Sequence, residues 1–219
     1  MPEPAAVSKS DHSALMDVVY NHQRHIYDAT RKFFLLGRDR LIAELKPEPG
    51  QSVLEVGCGT GRNLIVAARR YPQATFYGFD ISEKMLETAR RNIAKAGLSD
   101  RIKLAIADAS AFSSTEMFGR KMDRVVLSYT LSMIPPWREA IAQSLEALND
   151  AGALYVVDFG QLERLPRWAK AILSGWLNLF HVSPRADLRQ ALESAAQAAG
   201  RRADFQPLYR GYAWFGRIE

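Results

Sequence analysis

The sequence predicts an α/β fold in which helices cover both faces of a mainly parallel β-sheet. Short runs rich in Val, Ile, Leu, Phe and Tyr alternate with helical segments from residue 51 to about residue 160. A glycine-rich stretch separates the first of these strands from the first helix, and an aspartate ends the second strand. Together these three observations are typical of an α/β domain that holds a nucleotide-like cofactor at the carboxyl edge of its sheet.

Length and composition limit the possible classes of protein. The 219 residues are enough for one substantial core, and the content of 47% hydrophobic and 24% charged residues is ordinary for a globular domain. Neither a membrane span nor a secretory signal is recognisable, so we expect a cytoplasmic protein. The single cysteine, Cys58, excludes an intramolecular disulfide, and the four scattered histidines add no metal-binding pattern, so we expect no metal.

A breaker at residues 46–50 (KPEPG) divides the chain into two parts. Residues 1–46 are predicted to form an N-terminal helical lid segment, with a helix from about residue 13 to residue 45 that Gly37 interrupts. Residues 47–219 are predicted to form the α/β domain, so that the chain is a single structural domain overall.

The elements of this domain follow from periodicity and from capping residues. Strands are predicted at residues 52–56, 74–79, 102–107, 124–128 and 153–159, with helices at residues 62–70, 83–96 and 137–148. Ser82 is the expected N-cap of the second of these helices and Gly97 its end. Two more helices are predicted at residues 166–180 and 184–199, the latter with Ser183 as N-cap. Strands at residues 203–208 and 212–218 then pair antiparallel at one sheet edge.

The glycine-rich stretch is the strongest functional signal. Glycine lets the backbone turn tightly and approach a ligand, and the free N–H groups at the following helix start can face a carboxylate. Compared with the nicotinamide fingerprint G-x-G-x-x-G, the third glycine comes one residue early and an acid precedes the first glycine by two, which favours S-adenosylmethionine. The predicted cofactor-binding residues of this loop are Glu55, Gly57, Cys58, Gly59 and Gly61.

Acidic residues at the ends of the next two strands extend this predicted site. Asp80 can accept hydrogen bonds from both ribose hydroxyl groups, and Asp108 can accept one from the adenine amino group. A helix-capping role is the alternative for Asp108. The rest of the predicted set on this part of the chain is Ile81, Met85, Ala109 and Ser128.

Residues 51–160 resemble the class I S-adenosylmethionine-dependent methyltransferases, whose first motif matches Glu55 to Gly61 and whose acid on the second strand matches Asp80. The resemblance implies a Rossmann-like, seven-stranded, mainly parallel sheet whose last strand is antiparallel. It also implies a glycine loop along the methionine part of the cofactor, in which Cys58 is a small loop residue rather than a nucleophile.

The N-terminal segment points to a lid over this site. Tyr20, Arg24, Tyr27 and Arg31 share one helical face, which suits a cover over a cofactor that ends in a carboxylate. We therefore add Tyr27 and Arg31 to the predicted cofactor-binding residues. A solvated basic face is the alternative.

Residues 22–28 (HQRHIYD), 31–32 and 35–39 (LLGRD) resemble the N-methyltransferases of bacterial betaine-lipid synthesis. This resemblance implies three successive methyl transfers to the amine of diacylglyceryl-homoserine, giving diacylglyceryl-trimethylhomoserine. Two alternatives stay open: a methyltransferase for a small-molecule or quinone-like acceptor, and a noncatalytic protein that binds the cofactor.

Methyl transfer to an amine needs a neutral nitrogen aligned with the sulfonium methyl group. No strong general base is evident, although His22 and His25 are available to assist proton removal. An apolar site disfavours the ammonium form, and aromatic faces can meet the growing cation. The candidate catalytic residues are Tyr27, Tyr129 and Tyr212, with a packed aromatic as the alternative for Tyr129.

Charge and amphipathicity indicate the partners. The net charge of +5 favours anionic surfaces. The predicted helix at residues 166–180 has a basic polar face and an apolar face with Trp168 and Trp176, which suits peripheral contact with an anionic membrane that carries a lipid headgroup substrate. Packing of this helix against the sheet is the alternative. No nucleic-acid partner is expected, and the sequence leaves the oligomeric state open.

Overall fold

The computed structural model describes residues 35–166, 170, 173, 175, 177 and 182–219. The N-terminal helical prediction before residue 35, including Tyr27 and Arg31, lies outside the described residues. Trp168 and Trp176 lie outside them as well.

Six α-helices whose two ends lie within the described residues alternate with seven β-strands. The helices are α1 (Arg38–Leu45), α2 (Arg62–Arg70), α3 (Glu83–Lys95), α4 (Ser114–Phe118), α5 (Trp137–Glu146) and α6 (Leu188–Ala198). The strands are β1 (Ser52–Val56), β2 (Thr75–Asp80), β3 (Ile102–Ile106), β4 (Met122–Ser128), β5 (Leu148–Phe159), β6 (Ala203–Leu208) and β7 (Ala213–Ile218). A 3₁₀ turn at Tyr209–Gly211 joins the last two strands.

The strands form one seven-stranded sheet in the order β3-β2-β1-β4-β5-β7-β6. Strands β1 to β5 pair in parallel, and β7 runs antiparallel to both β5 and β6. The predicted Rossmann-like fold class with an antiparallel last strand is confirmed. Because the strand order reverses between β1 and β4, their carboxyl ends form the switch point at which such sheets bind ligands.

Helices bury both faces of this sheet. Leucines and alanines of α1, α2 and α3 pack on one face, with Leu41 and Leu64 among them, and α5 and α6 pack on the other through residues such as Ile141 and Leu192. All five residues of β1 are buried, as expected for a central strand that helices cover on both sides.

Capping residues explain several helix boundaries. The Ser82 hydroxyl accepts a hydrogen bond from the Met85 N–H at the start of α3, as predicted, and Gly97 follows the helix with a left-handed φ of 69°. Gly37, with φ 88°, is the N-cap of α1 and marks the predicted interruption.

One predicted helix start was wrong, and one short helix was not predicted. The helix predicted at residues 184–199 with Ser183 as N-cap begins only at Leu188, with Asp187 as N-cap. The preceding residues make tertiary contacts instead, since the Ser183 N–H donates to the Ser132 carbonyl and Arg185 binds two further carbonyls. The short helix α4 was not predicted, because five residues are too few for a periodic pattern.

The described part of the amphipathic segment at residues 166–180 turns apolar side chains inward. Leu165 and Leu173 pack against the core, and Leu177 is only 3% exposed. Lys170 and Gly175 are exposed. These contacts favour the alternative in which the segment packs against the protein itself.

Within the described residues, no helix has both the length and the apolar character needed to cross a membrane.

Candidate cofactor and acceptor site

The loop between β1 and α2 has a backbone that only glycine adopts readily. Gly57, Gly59 and Gly61 all have positive φ, at 69°, 53° and 77°. A Cβ atom on Gly57 would lie 2.8 Å from Cγ2 of Thr130, and the Thr130 hydroxyl donates to the Val56 carbonyl. The glycines therefore keep open a close approach between this loop and the end of β4.

Asp80 at the end of β2 faces this loop. One carboxylate oxygen accepts a hydrogen bond from the Gly59 N–H at 2.8 Å, and the other accepts one from the Ser82 N–H at 3.0 Å. A carboxylate offers about four lone-pair positions, so it can accept from several donors at once. The two backbone contacts fix the orientation in which Asp80 can meet a pair of hydroxyl groups.

Asp108 follows β3 at the same edge of the sheet. Its Oδ1 accepts from the N–H and the hydroxyl group of Ser110, at 2.9 and 2.7 Å. This is a local turn contact and not a helix cap, since Ser113 is the N-cap of the next helix, α4. The helix-capping alternative was therefore wrong. Asp108 also lines the cleft at this edge of the sheet, and its predicted contact with a base stays a prediction.

Glu55 and Ser128 lie behind the loop and are joined by a residue that the sequence analysis missed. The side-chain amide of Asn63 donates to Oε1 of Glu55 at 2.7 Å and to the Ser128 hydroxyl at 3.2 Å. Asn63 thereby joins the ends of β1 and β4. A polar residue in the first turn after the last glycine was the available signal.

Four predicted cofactor residues are buried and do not line the cleft: Glu55, Cys58, Gly61 and Met85. Cys58 is 7% exposed, and burial together with the carboxylates of Asp80 and Glu55 raises the pKa of its thiol well above the ordinary value. The protonated, buried thiol fits a small loop residue and not a nucleophile. Met85 is 9% exposed and packs in the first turn of α3.

A cleft enclosing about 740 Å³, part of it open to solvent, lies along this edge of the sheet. It brings together eight predicted residues: Gly57, Gly59, Asp80, Ile81, Asp108, Ala109, Ser128 and Tyr129. It also includes residues that were not predicted: Phe79, Ala107, Thr130, Met133, Ile134 and Pro136.

Tyr129 is a buried aromatic residue that lines this cleft directly after β4. It has a left-handed φ of 57°, its ring centroid lies 4.6 Å from that of Phe159, and its hydroxyl group donates to the Leu36 carbonyl. Burial and, next, the Asp158 carboxylate raise its pKa well above the ordinary value. Tyr129 is therefore a protonated phenol at neutral pH, with its hydroxyl engaged in a structural contact.

Tyr212 is not among the described residues that line the cleft. It lies behind Phe159, with ring centroids 5.9 Å apart, and burial raises its pKa to about 12. Its predicted role would therefore have to be exerted through Phe159 and Tyr129.

The shape and chemistry of the cleft fit S-adenosylmethionine. The glycine cradle, which a Cβ atom at Gly57 would fill, provides close backbone approach, and Asp80 faces it with two oriented oxygens. Fold and site together define a class I S-adenosylmethionine-dependent methyltransferase. The chain belongs to a methyltransferase domain family, whose model matches residues 47–198.

Curated relatives agree with this assignment. The demethylmenaquinone methyltransferase of Bacteroides fragilis is 24% identical over 159 residues, which are 70% of this chain and 64% of the relative. A ubiquinone/menaquinone biosynthesis C-methyltransferase of Cereibacter sphaeroides is 28% identical over 135 residues, 61% of this chain and 53% of the relative. The chain thus spans between half and two thirds of the length of these relatives.

Solved structures share the fold. An O-methyltransferase family 2 protein from Planctomyces limnophilus, in complex with apigenin, aligns with a TM-score of 0.65 at 20% identity, covering 98% of this chain and 62% of that one. An O-methyltransferase family protein from Burkholderia thailandensis aligns with a TM-score of 0.63 at 19% identity, covering 95% and 58%.

Proposed function

We propose that this methyltransferase acts on the amine of a lipid headgroup, diacylglyceryl-homoserine, and forms the trimethylated betaine lipid. The observation that carries the proposal is the hydrogen bond from the Tyr129 hydroxyl to the Leu36 carbonyl. It joins the cleft to residues 35–39, the end of the N-terminal segment that resembles the betaine-lipid N-methyltransferases.

Further contacts hold this segment against the sheet and the cofactor loop. A Cβ atom on Gly37 would lie 3.0 Å from Cγ2 of Val157, which shows how closely the backbone passes over β5. Asp39 forms an ion pair with Arg62, the first residue of α2, at 3.2 Å. Residues 36–39 therefore lie beside the cleft, which supports a role for the N-terminal segment at the acceptor.

The described residues suit an amine acceptor that needs no strong base. When bound, S-adenosylmethionine supplies an electrophilic methyl group. Asp80 and Asp108 lie at the cofactor end, whereas Met133 and Ile134 make the other end apolar. Such surroundings lower the pKa of an amine and favour the neutral, nucleophilic form. With its hydroxyl held by Leu36, Tyr129 contributes an aromatic face that can meet a methylated cation.

We extend the proposal to peripheral contact with an anionic membrane, since the acceptor would be embedded there. The net charge of +5 supports it. The contact is expected to bind the protein to anionic vesicles at low salt and to weaken as salt screens the charges, with little binding to neutral vesicles. Sedimentation with the two kinds of vesicle measures this directly.

A quinone-like acceptor is the second candidate, and the relatives favour it. Two of them are named for menaquinone or ubiquinone methylation, and the apolar end of the cleft would also suit a ring with an apolar tail. Carbon methylation of such a ring requires removal of a proton. Among the described residues that line the cleft, Asp80 and Asp108 carry the carboxylates that could accept this proton.

One experiment separates the candidates. The full chain is incubated with methyl-labelled S-adenosylmethionine and with either diacylglyceryl-homoserine in mixed micelles or a demethylated quinone, and the lipids are then resolved. We expect label in mono-, di- and trimethylated forms of the betaine lipid, and none with Asp80→Ala. Label in the quinone alone would establish the second candidate, and label in neither would refute both.

A further inference from the structure

The acceptor end of the cleft is formed by an irregular segment, residues 130–136, that follows β4. Met133, Ile134 and Pro136 from this segment line the cleft opposite the cofactor loop. We call residues 130–136 the acceptor wall. The Met133 N–H donates to the Thr130 carbonyl within the wall, and the other contacts that hold its backbone come from elsewhere in the fold.

Arg185 holds the acceptor wall from behind. Its Nε donates to the Leu131 carbonyl at 3.0 Å and its Nη2 donates to the Ile134 carbonyl at 2.6 Å. The guanidinium carbon also lies 5.8 Å from the ring centroid of Trp137, which follows the wall at the start of α5. One side chain thus fixes two backbone carbonyls of the wall that are three residues apart.

Asp158 supplies the complementary contact. It lies near the end of β5, is 1% exposed, and accepts from the Ser132 N–H through Oδ2 and from the Phe159 N–H through Oδ1. The Ser132 carbonyl in turn accepts from the Ser183 N–H. Between them, these contacts satisfy three carbonyls and one N–H of the wall.

Such partners matter because the wall is not part of the sheet or of a helix. Buried backbone polar groups require hydrogen bonds, and those made to charged groups are the stronger ones. The helix predicted from residue 184 begins only at Leu188, and Arg185 lies in the irregular stretch before it. From that stretch the Arg185 side chain donates to the carbonyls of the wall.

We propose that Arg185 and Asp158 are positioning residues that set the acceptor wall and thereby determine the affinity for the acceptor, without contributing to cofactor binding. The proposal rests on the proposed function only in that the acceptor occupies the cleft beside Met133 and Ile134. The cofactor side of the cleft, at Gly57, Gly59 and Asp80, has its own backbone contacts.

The test compares Arg185→Gln with Arg189→Gln, which removes the same charge from the exposed α6 residue that pairs with Glu193. For Arg185→Gln we expect the KM for diacylglyceryl-homoserine to rise about tenfold or more, with the Kd for S-adenosylmethionine, from calorimetry, within about twofold. Arg185→Lys, which keeps the charge but loses the two-pronged donor, should give an intermediate KM. Arg189→Gln should match the wild type.

Hydrogen exchange provides a readout that does not depend on the acceptor's identity. In Arg185→Gln and in Asp158→Asn, the amides of residues 131–134 should exchange faster, while those of residues 57–61 keep wild-type rates. Unchanged exchange in the wall, or equal acceleration in both segments, would overturn the proposal. If the wild type methylates no lipid amine, the proposed function fails, but the exchange result still decides whether these residues hold the wall. If Arg185→Gln does not fold, Arg185→Lys and Asp158→Asn carry both measurements.

Discussion

The Tyr129 hydroxyl donates a hydrogen bond to the Leu36 carbonyl, joining the end of β4 to the start of the described chain across 93 residues of sequence. Tyr129 also lines the cleft that the glycine loop and Asp80 form. This hydrogen bond is a direct structural coupling between the N-terminal segment and the cleft.

Tyr129→Phe tests that coupling, since it removes the hydroxyl and keeps the ring on Phe159. We expect the free energy of unfolding to fall by about 1 kcal/mol, because one partly buried hydrogen bond is lost and a carbonyl is left without its donor. Turnover should fall further than stability accounts for, and the Kd for S-adenosylmethionine should change little. Chemical denaturation, calorimetry and the labelled-methyl assay measure these quantities.

The control for Tyr129→Phe is Tyr77→Phe, a buried tyrosine on β2 whose ring packs on Phe118. It should leave turnover at the wild-type level. Full activity in Tyr129→Phe would show that the contact with Leu36 only stabilises the fold.

Asp80→Ala is expected to weaken S-adenosylmethionine binding by about tenfold to a hundredfold or more. The change removes the acceptor for the ribose hydroxyl groups and also the anchor of the Gly59 and Ser82 N–H groups. Calorimetry on Asp80→Ala and on Asp100→Ala, an exposed aspartate in the turn before β3, makes the comparison. Equal affinity in the two variants would remove Asp80 from the site.

Gly57→Ala should destabilise the protein more than Gly97→Ala, although both glycines have a φ of 69°. Each substitution incurs roughly 1 kcal/mol of left-handed backbone strain. Only at Gly57 would the new Cβ also meet a side chain, 2.8 Å from Cγ2 of Thr130, whereas nothing lies within 4 Å at Gly97. We expect an additional cost of about 1–3 kcal/mol and loss of cofactor binding. Equal unfolding energies would mean that Thr130 moves aside freely.

The raised pKa of Asp158 predicts that the stability of the folded protein decreases as the pH rises. Burial raises its pKa from 3.8 to about 6, so between these values the folded protein keeps a proton that the unfolded chain releases. The contribution of Asp158 to the free energy of unfolding is therefore largest below pH 4 and decreases as the pH rises to about 6, by on the order of 3 kcal/mol.

Urea titrations of the wild type and of Asp158→Asn across pH 4 to 7 isolate this contribution, because other carboxyl groups affect both proteins alike. The free energy of unfolding of the wild type should decrease relative to that of Asp158→Asn as the pH rises. Parallel curves would show that Asp158 titrates at its ordinary pKa.

The cofactor half of the site was largely predictable because its signals are local. Glycines that need positive φ, and an aspartate directly after a strand, are recognisable in a few consecutive residues, and parallel strands bring their carboxyl ends to one edge. Asn63 was missed because its importance depends on two partners on different strands, Glu55 and Ser128. Tyr212 was expected at the site, but the position of Phe159 between it and Tyr129 could not be deduced from spacing.

The sequence by itself determined the seven-stranded α/β fold, the glycine loop and the acids at the ends of β2 and β3, since strand periodicity and backbone chemistry act over short stretches. Tertiary structure alone decided that Arg185 lies outside α6 and donates to two carbonyls of the acceptor wall. It likewise decided that Leu177 of the amphipathic segment is buried. It also decided that the Tyr129 hydroxyl contacts Leu36. These outcomes depend on which surfaces meet after folding, and a buried carbonyl or leucine takes whichever partner the completed sheet brings within reach.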